Sequence, residues 1–122
     1  MKKILIIDDD LRNTFALSAV LKARGHTVAV ANNMAEAFAM LEKQVNEIGI
    51  ILLDMMMPGM DGYDAIPVLK STEAYKNIPV VAVTAQAMAG DREKCLNAGA
   101  SDYIPKPVDV DWLIKILNES LK

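Results

Sequence analysis

Ile50-Ile51-Leu52-Leu53-Asp54 is the stretch that decides the fold. An unbroken run of large aliphatic residues leaves no side for water, so it reads as a strand covered on both faces. The run ends on a carboxylate. Met55-Met56-Met57-Pro58-Gly59 follows, and its Pro-Gly pair and the later Asp61-Gly62 are turn signals. The same design recurs on either side. Ile4 to Ile7 runs into Asp8-Asp9-Asp10, and Val80 to Val83 runs into Thr84. Strands are therefore expected at about Lys3 to Asp8, Thr27 to Ala31, Ile50 to Asp54, Val80 to Thr84 and, more briefly, Asp102 to Ile104.

Helical patterns fill the gaps between these runs. Leu17, Val20 and Leu21 share one face of a first helix that should stop at Gly25. Met34, Ala37, Phe38, Leu41 and Val45 form the stripe of a second, with Asn33 and Glu36 spaced as a capping box. A fourth covers about Asp91 to Ala98 before Gly99. Val110, Leu113, Ile114, Leu117 and Leu121 mark the last, with Asp109 as its N-cap. The third helix contains Pro67, which lacks a donor and clashes with the preceding turn of a helix interior. Starting that helix near Asp64 keeps Pro67 in the first turn, where its missing N–H is not needed. A short or bent helix ending around Lys70 is expected.

Repeated strand–helix alternation means parallel strands joined by right-handed crossovers, an α/β doubly wound five-stranded sheet flanked by five helices. Residues 1–122 read as a single domain, with no linker, low-complexity tract or tandem repeat. Such folds bind ligands beyond the carboxyl ends of the strands. Those ends carry Asp8 and Asp9, Asp54 and Thr84, and Lys106 follows the last strand. Carboxylates drawn together in apolar surroundings repel one another and need a counter-charge. A divalent cation such as Mg²⁺ resolves that conflict, and it often bridges to phosphate. Lys106 adds an ammonium and Thr84 a hydroxyl. This set suits phosphoryl transfer, with an Asp carboxylate as nucleophile and positive charge facing the transferred oxygens.

Composition limits the other readings. The formal net charge is -3, with no excess of basic residues to suggest direct nucleic-acid binding. The single cysteine, Cys95, permits no intrachain disulfide and no Cys-rich metal site. The apolar run after Met1-Lys2-Lys3 is too short for a signal peptide, and no stretch approaches the ~20 residues that span a bilayer. A soluble, cytoplasmic protein without a membrane partner is expected.

The segments IIDDD (Ile6 to Asp10), LLDMMMPGMDG (Leu52 to Gly62), VTA (Val83 to Ala85) and YIPKP (Tyr103 to Pro107) together resemble the receiver domains of response regulators, in order and spacing along essentially the whole chain. The resemblance implies a flavodoxin-like strand order 2-1-3-4-5 and a cis Lys106-Pro107 bond. It implies a phosphorylation-dependent switch of a two-component system, with Asp54 the phospho-acceptor. Asp9, Asp54 and the Met56 backbone carbonyl would hold Mg²⁺ (or Mn²⁺), and Asp8 would act largely through metal-bound water. Thr84 and Lys106 would contact the phosphoryl oxygens, and Tyr103 would change rotamer with Thr84. Catalysis would be limited to the domain's own phosphorylation and dephosphorylation. The implied partners are a histidine kinase or histidine phosphotransfer protein, and an unknown output partner on the face of the fourth helix, fifth strand and fifth helix. The stretch from Thr84 to Pro107 looks especially like receivers attached to hybrid histidine kinases. Met56 and Gln86 occupy positions where the family varies and sets its dephosphorylation rate.

Plainer readings stand beside these. Asp10 is the expected helix cap. Thr84 alone is an ordinary strand residue, Lys106 alone a solvated lysine, and Tyr103 a packed strand aromatic. Trp112 and Ile116 either widen the buried face of the last helix or mark the output face. A phosphatase with an Asp nucleophile would need a second Asp where Met56 stands. A flavin binder would need a Ser/Thr/Gly-rich loop where Asp8-Asp9-Asp10 stands.

Overall fold

The computed structural model describes residues 2–85 and 90–120. Its elements alternate along the chain as β1 (Lys3–Ile7), α1 (Leu11–Ala23), β2 (Val28–Ala31), α2 (Met34–Gln44), β3 (Ile48–Asp54), α3 (Gly62–Ser71), β4 (Val80–Thr84), α4 (Asp91–Ala98), β5 (Asp102–Pro105) and α5 (Val110–Ser120). The strands form one parallel sheet in the order β2-β1-β3-β4-β5. The expected fold class and order are both observed, as is the cis Lys106-Pro107 bond.

Strand alternation divides the core. Leu5, Ile7, Ile51, Leu53 and Ala82 pack with Ala37, Leu41, Ile66, Leu69 and Cys95, so α2, α3 and α4 cover this face. Ile4, Ile6, Ile50, Leu52, Val81 and Val83 pack with Leu21, Leu113 and Leu117, so α1 and α5 cover the other. This double burial is why β3 tolerates no polar residue between Ile50 and Leu53.

The helix starts lie at the carboxyl edge of the sheet, and side-chain caps fix all but that of α4, which begins after Gly90. The Asp10 carboxylate accepts the N–H groups of Arg12 (2.9 Å) and Asn13 (3.3 Å). Asn33 accepts from Glu36 N–H at 2.8 Å, and the Glu36 carboxylate accepts from Asn32 N–H at 2.7 Å. Asp109 accepts from Trp112 N–H at 3.1 Å. Gly99 ends α4 with φ +118°, a left-handed conformation that a side chain would strain.

The third helix departs from expectation. It starts at Gly62 rather than near Asp64, because Asp61 caps it by accepting from Asp64 N–H at 3.0 Å. Pro67 therefore lies inside the helix, on its exposed side. Its ring nitrogen cannot donate to the Tyr63 carbonyl one turn back. Val45 falls not in α2 but in a short 3₁₀ turn, Val45–Glu47. Trp112 and Ile116 divide the two readings given for them: Ile116 is buried and Trp112 is exposed. Leu121 lies outside the described residues. Among those residues, no helix is long and apolar enough to cross a membrane.

Candidate functional site

The parallel register brings the carboxyl ends of β1, β3 and β4 side by side. Ile7 pairs with Leu53, Asp54 with Val83, and Thr84 with Pro105. Asp8 and Asp9 leave β1 directly beside the end of β3. Carboxylate oxygens of Asp8, Asp9 and Asp54 all lie within 4.8 Å of one another. Asp8 and Asp54 are buried, and Asp9 is open to solvent. From the last β–α connection, the Lys106 ammonium reaches Asp8 Oδ2 at 3.3 Å and Asp54 Oδ2 at 3.5 Å. Thr84 is fully buried at the end of β4.

Backbone donors orient two of the acids. Asp8 Oδ1 accepts the Asp10 N–H at 2.9 Å, and Asp54 Oδ1 accepts the Met56 N–H at 3.0 Å. Asp10 thus caps α1 with its side chain while its own N–H steadies Asp8. Burial pushes the Asp8 carboxyl above the usual carboxylate range. The Asp10 N–H opposes that shift, the Asp54 charge adds to it, and Lys106 offsets part of it.

Among the described residues, one ammonium contacts the two buried carboxylates while the exposed Asp9 adds a third acid beside them, so the cluster is short of positive charge. Clustered carboxylate oxygens with open access from the Asp9 side are the donor set that Mg²⁺ selects. Tyr103 lies one strand over, paired in register with Ala82 and packed against the α2–α3–α4 side of the core. The Met56 side chain is exposed, 47% accessible, at the lip of the site. Gln86 lies outside the described residues. In the sequence Gly62 reads only as part of a turn and of the LLDMMMPGMDG segment; in the structure its N–H closes the loop after Asp54 onto the Met55 carbonyl at 3.4 Å.

The acids and the lysine thus meet at the topological switch point of a doubly wound sheet, the place where such folds bind their ligands. The chain belongs to the response regulator receiver domain family, whose family model matches residues 4–118. It is therefore a receiver of a two-component system, a switch driven by phosphorylation. It is similar to the response regulator PleD of Caulobacter vibrioides, with 42% identity over 107 residues, 88% of this chain and 23% of PleD. It is also similar to the protein PilH of Pseudomonas aeruginosa, with 34% identity covering 99% of this chain and 98% of PilH. Among solved structures, it resembles the receiver domain of the sensor histidine kinase PA1611 of Pseudomonas aeruginosa, which carries a magnesium ion coordinated in its active-site cleft. The TM-score is 0.81 at 31% identity, covering 98% of this chain and 97% of that one. The likeness to kinase-attached receivers read from the second half of the chain has its counterpart there. The chain spans about a quarter of PleD's length and nearly all of PilH's.

Proposed function

We propose that Asp54 accepts a phosphoryl group from a phosphohistidine on a histidine kinase or histidine phosphotransfer protein. The observation that carries this is the convergence of three carboxylates within 4.8 Å, two of them buried and both held by one lysine. An oxygen of Asp54 forms the bond to phosphorus as the P–N bond breaks, and the electron pair returns to the donor imidazole. The Met56 N–H fixes one Asp54 oxygen, which leaves Oδ2, on the Lys106 side, as the attacking atom. Lys106 then neutralises charge on the transferred group. Asp8, Asp9, Asp54 and the Met56 backbone carbonyl would hold Mg²⁺ (or Mn²⁺), which supplies further positive charge against the phosphoryl oxygens.

Phosphorylation adds about -1.5 to -2 charge units at the end of β3. The Thr84 hydroxyl turns toward that charge, and Tyr103 follows into the space vacated. The readout surface is the α4-β5-α5 face, where Trp112 is exposed. The domain acts in the cytoplasm, works chemically only on its own Asp54, and binds protein rather than nucleic acid. Residues 1–122 act as one domain. Beryllofluoride with Mg²⁺ tests the reading by NMR. It should shift the Thr84 and Tyr103 resonances, and Asp54→Asn should abolish both shifts. An unmoved wild-type spectrum refutes the switch.

A further inference from the structure

We infer that Gly62 is a positioning residue for Asp54, acting through the peptide plane between Met55 and Met56; this rests on the proposed role of Asp54. Gly62 is buried at the first position of α3. A Cβ built there would overlap Met55 Sδ and stand 2.9 Å from both Met55 Cα and Met55 Cε. The side chain could move in principle, but the Cα belongs to a backbone held from both sides. The Met55 N–H donates to the Val83 carbonyl of β4 at 2.9 Å, and the Met55 carbonyl accepts from the Gly62 N–H at 3.4 Å. Met55 itself is fully buried, so its side chain has no solvent to escape into.

The consequence reaches the acceptor through covalent geometry. The carbonyl of Met55 and the N–H of Met56 belong to one rigid peptide plane. One edge of that plane is tied to Gly62. The other donates to Asp54 Oδ1 at 3.0 Å. A shift of residue 55 that clears a Cβ at residue 62 tilts the same plane away from Asp54. That frees Oδ1 to rotate and also moves the start of residue 56, whose carbonyl is a proposed metal ligand. The absence of a side chain at Gly62 thereby sets the orientation of a carboxylate eight positions earlier in the chain.

The test is Mg²⁺ affinity by isothermal titration calorimetry on Gly62→Ala, measured at a temperature where circular dichroism shows the variant folded. Displacing an outer support of a metal ligand weakens binding about 10- to 100-fold, and a loss in that range is expected. Leu117→Ala, in the opposite core layer, serves as a control for destabilisation alone and should leave the affinity unchanged. Should Gly62→Ala not fold, Gly62→Ala combined with Met55→Ala, which removes the Sδ overlap, takes its place, with Met55→Ala alone as its reference. Folded Gly62→Ala, or the double variant against Met55→Ala, binding Mg²⁺ as tightly as its reference overturns the inference. So does an equal loss in Leu117→Ala. Absence of Mg²⁺ binding by the wild type would instead overturn the reading of the acidic cluster itself.

Discussion

Leu53 and Asp54 are neighbours on β3 and almost equally buried, at 0% and 5% exposed, yet burial acts on them in opposite directions. Taking a leucine side chain out of water stabilises the fold by about 1.5–3 kcal/mol. Taking a carboxylate out of water costs several kcal/mol unless charge and hydrogen bonds offset it, and Asp54 relies on Lys106 and the Met56 N–H for that offset. The same boundary crosses β1 between Ile7 and Asp8, and β4 between Val83 and Thr84. The apolar body of the sheet holds the molecule together, while its carboxyl edge gathers the charged groups on which the proposed chemistry rests.

The largest expected effect would break this division if it failed. Asp54→Asn should lose phosphoryl acceptance entirely, read by mass spectrometry after incubation with acetyl phosphate and Mg²⁺. Its urea midpoint should be no lower than wild type, because one of three crowded charges is gone. A large loss of stability would show that the acidic edge also carries the fold. The reverse experiment is Ile51→Ala in the fully buried body of the same strand. It should cost about 2–5 kcal/mol in urea unfolding. Its Mg²⁺ affinity, measured while folded, should hold.

Smaller effects sharpen the line between polar residues that serve the site and those that serve the fold. Asn33 sits at the carboxyl edge but caps α2, so Asn33→Ala should cost about 1 kcal/mol of stability and leave Mg²⁺ affinity unchanged. A matching loss of affinity would place Asn33 in the site. The smallest effect lies at high pH. Burial, reinforced by the Cys95 thiol 3.7 Å from its hydroxyl, pushes the Tyr63 phenol up to about 12. The folded state therefore disfavours the phenolate. Stability should fall slightly as pH climbs from the ordinary tyrosine value of 10.0 toward about 12. Ultraviolet titration should show a late-ionising phenol that Tyr63→Phe removes; loss instead of a phenol that ionises at the ordinary tyrosine value would show that Tyr63 is not held as the structure places it.

The acidic edge was legible because a carboxylate directly after an aliphatic run violates the local pattern twice, at Asp8 and at Asp54. Local chemistry likewise marked the caps at Asp10, Asn33 and Asp109. The start of α3 was not legible in the same way. Asp61 reads in the sequence as part of an Asp-Gly turn, and only the hydrogen bond it accepts from Asp64 N–H reveals it as the cap of a helix that starts at Gly62. The start expected near Asp64 rests on Pro67, which a helix beginning there would keep in its first turn. It failed because an exposed proline inside a helix is tolerable when the rest of the helix is anchored: Ala65, Ile66 and Leu69 are fully buried.

Periodicity and strand-end chemistry, both local properties of the chain, determined the alternating elements, the two covered faces of the sheet and the residue types at its carboxyl edge. Tertiary structure alone decided that Lys106 reaches both Asp8 and Asp54, that Ile116 turns inward while Trp112 turns outward, and that Gly62 lies against Met55. The physical reason is distance. Hydrophobic pattern and capping act between residues a few positions apart, whereas a lysine bridging two strands, or a missing Cβ that spares a peptide plane, exists only once crossovers have brought remote segments to within a few ångströms.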